Sequence, residues 1–117
     1  NQGGQKAAQS EVSQSLYQRD ADVAKLESDL RSTYQACLAT FHQASSIKQV
    51  IMPAAEKASV ATQIGYQEGK FKFLEALDAL RTLFEVKNQY IDAFSAYHEA
   101  RFNVMKLAGR IDAFSSF

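Results

Sequence analysis

The sequence predicts an all-α protein folded as a long antiparallel helical hairpin. Three observations carry that prediction. Apolar residues recur at steps of three and four along most of the 117 residues, which is a helical period and not the period of two of a strand. Good helix formers dominate, with one Pro and five Gly in the whole chain. Two of those glycines, Gly65 and Gly69, stand close together between two periodic runs.

The first helix is expected over about residues 5–68. Val12, Leu16, Val23, Leu26, Leu30 and Cys37 form a heptad-like seam, with Arg19 and Thr33 in the two remaining places. Tyr34, Leu38 and Phe41 begin a second stripe one position round the helix. Pro53 interrupts this run. Inside a helix, proline removes one hydrogen bond and clashes with the carbonyl four residues back, at a cost of about 3 kcal/mol. It either kinks one long helix or opens a new one. Met52 is a poor N-cap and no Gly or Asn precedes it to stop the helix, so the kink is the preferred reading.

A tight turn is expected over residues 65–70, with Gly69 as a left-handed C-terminal cap. The second helix is expected over residues 70–108. Its first seam is Ala76, Ala79, Leu83, Val86, Tyr90, Ala93, Tyr97, Ala100, Val104 and Leu107. A second stripe, one residue on, includes Phe73, Leu77, Leu80, Phe84, Ile91, Phe94, His98 and Met105. The third face is polar and includes Glu75, Asp78, Glu85, Asp92 and Glu99. Two apolar seams about 100° apart give each helix a neighbour on either side, as in a bundle or a closed ring of helices. Gly109 is expected to end the helix, leaving 109–117 as a tail.

Length adds a constraint. Folded back at Gly69, the second helix reaches only to about residue 30 of the first. The remaining seam cannot be buried by a lone chain, so partners are expected: self-association of this chain, or other segments of a longer product. A start of Asn1-Gln2-Gly3-Gly4 without Met agrees with the latter expectation.

Composition excludes several classes. Thirteen Lys and Arg balance thirteen Asp and Glu, which argues against a nucleic-acid binder. A single Cys excludes an internal disulfide framework or a Cys-based zinc finger. His42 and His98 have no metal-binding spacing, so no metal site and no cofactor is expected. Packing is the ordinary reading of His98 and Cys37. No nucleophile–base arrangement or phosphate-binding loop emerges, so no enzyme is expected. Glu75 and Asp78 are three residues apart on the polar face, one turn after the hairpin. A solvated surface that complements the helix N-terminus is their ordinary reading. Acidic rings lining a channel, made by symmetric copies, are the functional one.

The chain also resembles a known family. The stretches Gly65-Tyr66-Gln67-Glu68-Gly69-Lys70-Phe71, Leu74-Glu75-Ala76-Leu77-Asp78-Ala79 and Arg81-Thr82-Leu83-Phe84 look like the TolC-type outer-membrane efflux factors. Tyr90, Tyr97, His98, Ala100 and Leu107-Ala108-Gly109 extend the likeness. It is closest to the heavy-metal branch (cobalt–zinc–cadmium or copper–silver), and Ile51-Met52-Pro53-Ala54-Ala55-Glu56 matches a Pro-containing segment of that branch. The resemblance implies a homotrimer in the full-length protein, with an outer-membrane barrel and a long periplasmic α-barrel to which this segment belongs. It implies a passive duct for heavy-metal cations, working with a periplasmic adaptor and an inner-membrane pump. Gly65, Tyr66, Gly69 and Lys70 would meet the adaptor, and Glu75 and Asp78 would form the acidic constriction. The basic gate residue of some members falls at Phe71 here, a departure from the family pattern. The alternative reading is a helical-hairpin interaction module, such as the adaptor's own hairpin. Such a hairpin should have arms of similar length and flanking β segments, which this sequence lacks.

Overall fold

The computed structural model describes residues 2–115, and among them there is no strand. Helix α1 runs Gln2–Ser46, a π-turn covers Ile47–Ile51, α2 runs Met52–Gln67 and α3 runs Phe73–Ser115. Residues 2–67 at about 1.5 Å each account for the long axis of the molecule, which measures 99 Å. The other two axes are 21 and 14 Å, the section of two helices side by side.

The interface is a single seam. All ten predicted seam positions of α3, from Ala76 to Leu107, are buried or half-buried. The second apolar stripe faces outward, with Phe73, Leu77, Phe84, Ile91, Phe94 and Met105 all exposed. A tight cluster of Ala44, Ile47, Val86 and Ala93 sits midway, with Met52, Ala55 and Tyr90 packed against it. Rings of Phe41 and Tyr97 meet across the helices at 5.6 Å between centroids. Seam threonines bring their own satisfaction. Thr40 Oγ1 donates to the Cys37 carbonyl at 2.8 Å, and Thr62 Oγ1 to those of Ala58 and Ser59.

Pro53 neither ends the helix nor leaves it regular. Backbone angles stay right-handed helical at Ser46, Ile51 and Met52. The Met52 N–H donates to Ile47, five residues back, instead of Lys48. This wider turn sits one turn ahead of the proline, where the ring would otherwise crowd the Gln49 carbonyl. The seam explains its width. Covered positions of α1 follow steps of three and four through Leu30, Thr33, Cys37, Thr40, Ala44 and Ile47, and the next is Met52, a step of five. One extra residue is present in the pattern, and one extra residue per turn is what a π-turn absorbs.

Two expected boundaries move. The helix does not stop at Gly109; it continues through that residue to Ser115, so residues 109–115 are not a tail. Ile111, four places after Leu107, keeps the seam going and is half-buried. A glycine inside a helix costs about 1 kcal/mol, which continued packing offsets. The longer α3 covers α1 down to Val23, not residue 30. At the other end α3 begins at Phe73 and not at residue 70, because Lys70 and Phe71 belong to the turn. Residues 116 and 117 of the expected tail lie outside the described residues.

Candidate functional site at the hairpin tip

The tip is built by backbone chemistry. Gly69 has φ of 77°, the left-handed geometry that a glycine adopts without a side-chain clash. The Lys70 N–H donates to the Gly65 carbonyl at 2.7 Å and the Gly69 N–H to that of Tyr66 at 3.1 Å. Together these make a Schellman closure of α2. The Phe71 N–H also donates to Gly65. Gly65 is buried because the Phe71 ring lies directly on it, so that a methyl group there would overlap the ring. Phe71 therefore has a local packing role in the turn. Tyr66 stacks tilted on Phe73 at 5.6 Å, tying the end of α2 to the start of α3. Lys70 is exposed and pairs with Glu68 at 3.1 Å, a surface contact of little energetic weight.

Glu75 and Asp78 follow on the first turns of α3, both exposed. Glu75 is the third residue of the helix, and its Oε2 accepts the Lys72 N–H at 3.1 Å. That is the carboxylate half of a capping box, and the helix dipole favours the same placement. Asp78 Oδ1 accepts from Arg81 Nη2 at 3.0 Å, and Arg81 Nε lies 3.8 Å from Glu85 Oε1. The polar face thus carries three carboxylates against one guanidinium along its first turns. Leu74, Glu75, Leu77, Asp78 and Arg81 line an open depression there.

The structure brings the tip residues Gly65, Tyr66, Gly69 and Lys70 and the pair Glu75 and Asp78 to one end of the hairpin. Sequence reasoning placed Glu85 on the polar face but missed the pairing of Arg81 with Asp78 and Glu85, although the spacing Asp78-x-x-Arg81 and Arg81-x-x-x-Glu85 is the helical ion-pair pattern. The histidines are elsewhere. His98 contacts the rings of Phe94 at 4.4 Å and Tyr97 at 5.4 Å, and His42 contacts Phe41 at 5.7 Å. Among the described residues, no three His, Cys, Asp or Glu side chains come together to hold a metal ion. No described helix is long and apolar enough to cross a membrane.

A hairpin with one covered seam, one uncovered seam and one polar face belongs to the class of helical units that pack side by side with further helices. Residues 1–110 match the family described as outer membrane efflux protein, and the chain belongs to that family. It is 37% identical, over 67 residues, to the cobalt-zinc-cadmium resistance protein CzcC of Cupriavidus metallidurans. That match takes in 57% of this chain and 16% of the relative, so the chain spans a small part of the length of the relative it matches. The likeness supports the heavy-metal branch within the family. No solved structure matches the chain.

Proposed function

We propose that this chain is the periplasmic helical part of an outer-membrane channel that exports heavy-metal cations as one component of a tripartite pump. The observation that carries the reading is the division of α3 into three faces. One apolar seam is covered by α1 and α2, a second is exposed except at half-buried Leu80, and the third face is polar with Glu75 and Asp78 near the tip. A helix with two apolar seams closes into a ring when hairpins stand side by side, and its polar face then lines the lumen. In this reading three full-length copies assemble, and the tip residues Gly65, Tyr66, Gly69 and Lys70 meet a periplasmic adaptor. The isolated chain self-associates through the exposed stripe. No step is catalytic: the duct is passive, and the inner-membrane pump supplies the energy.

Glu75 and Asp78, repeated around a ring, favour cations and repel anions at the mouth. Arg81 tempers Asp78, so Glu75 contributes more of the ring's field. The test is planar-bilayer conductance of the full-length channel. Glu75→Gln with Asp78→Asn should weaken block by a trivalent cation applied from the tip side. Unchanged block would overturn the placement of these residues in the lumen.

A further inference from the structure

The hairpin is not equally held along its length, and the π-turn marks the change. Two carbonyls there lack the donors a helix normally supplies four residues on. Met52 gives its N–H to Ile47 and not to Lys48, and Pro53 has no N–H for Gln49. Both residues are exposed, so the gap in the ladder is on the outer side of the helix, while Ile47 and Met52 stay packed inside.

The larger side chains of the seam also thin out toward the tip. Above the π-turn, the covered positions of α1 run from Val23, Leu26 and Leu30 through Thr33, Cys37, Thr40 and Ala44, and the α3 seam there supplies Tyr97, Val104 and Leu107, with the Phe41–Tyr97 ring contact beside them. Below it, the covered positions of α2 after Pro53 are Ala55, Ser59, Thr62 and Gly65, and the start of α3 supplies Ala76, Ala79, Leu80 and Leu83. Small and hydroxylated residues bury little apolar area per turn. A segment with few apolar contacts, joined through an interrupted ladder, belongs to the low-stability end of a structure.

We infer that α2, the tip turn and the facing start of α3 form a separate cooperative unit, which opens while α1 stays packed on α3. The π-turn is its boundary. Helical bending and opening concentrate where the hydrogen-bond ladder is broken by a proline or a π-turn. α1 and the rest of α3 act as the fixed rail, and α2, the tip turn and the first turns of α3 open from it together. The tip lies 16 residues beyond the joint, so a deflection of about 20° at the joint carries it about 8 Å. This inference concerns the hairpin itself and stands whether or not the channel reading holds.

Residue-resolved hydrogen–deuterium exchange on the protein tests it. Amides of residues 54–66 should be protected at least tenfold less than those of residues 30–46. Equal protection on both sides of the π-turn would overturn the inference. A second arm uses a variant lacking Val50 and carrying Pro53→Ala. Removing one exposed residue turns the step from Ile47 to Met52 into four, so the seam runs on in phase through an unbroken α-helix. That variant should raise protection over α2 at least tenfold. A folded variant, judged by circular dichroism, that keeps the original difference would overturn the assignment of the π-turn as the boundary. Pro53→Ala alone is the milder change: it returns a donor to Gln49 and should raise protection over α2 about threefold, and no rise at all would count against the joint.

Discussion

The N-terminal arm, residues 2–18, and the paired stretch from Val23 to Ile111 carry the same kind of apolar repeat and end in opposite states. Val12 and Leu16 are 59% and 57% exposed, whereas Leu83 and Val86 are 8% and 7% exposed. Nothing in the local sequence separates Leu16 from Leu30: both sit at seam positions of one continuous helix. What differs is whether another helix stands opposite. A heptad seam therefore encodes that a partner exists, and only chain length and the place of the turn decide whether the partner is the same chain.

The sharpest way to break that comparison is truncation on both sides of it. Leu83→Ala should destabilise the protein by about 2 kcal/mol or more, as buried leucines do. Leu16→Ala should cost less than about 0.5 kcal/mol in dilute solution, as exposed positions do. Urea unfolding followed by circular dichroism measures both, and an equal cost at the two sites would mean that the arm is covered in solution. Gly69→Ala is the next largest effect. Its left-handed backbone should cost about 1 kcal/mol and should leave the exposed arm unaffected. The same unfolding curves read it, and a neutral result would remove the tip from the set of features that hold the pairing. The smallest expected effect is at Glu75. Glu75→Gln keeps an acceptor for the Lys72 N–H but loses the charge at the helix start, a change of about 0.5 kcal/mol in thermal unfolding. A loss several times larger would mean that Glu75 has structural duties beyond the cap.

Much of the hairpin was legible in its residues. The seam of α3 could be read position by position because a buried stripe on a regular helix leaves no freedom in phase. Gly69 was legible because few residues tolerate its backbone angle. The end of α3 was not, since Gly109 looks like a stop signal until Ile111 is seen to continue the seam. The π-turn is written in the step of five between Ile47 and Met52, a one-residue excess in the seam that neither a proline kink nor a break accounts for. At the site, the grouping of Glu75 and Asp78 beside the tip followed from spacing. The capping bond of Glu75 and the pairing of Asp78 with Arg81 did not, because exposed side chains choose among several neighbours at similar energy.

The turn itself has a consequence for anything that touches it. Five successive amides, from Glu68 to Lys72, all donate inward: to Ile64, Tyr66, Gly65, Gly65 again, and the Glu75 carboxylate. No strand can zip onto this edge with a full main-chain ladder, since its N–H groups are all used and only carbonyls remain to pair. A visitor must read the tip by its side chains, through the phenol of Tyr66, the ring of Phe71 and the ammonium of Lys70. Recognition written in side chains is rewritten by single substitutions, so the tip can change its choice of visitor without changing its shape.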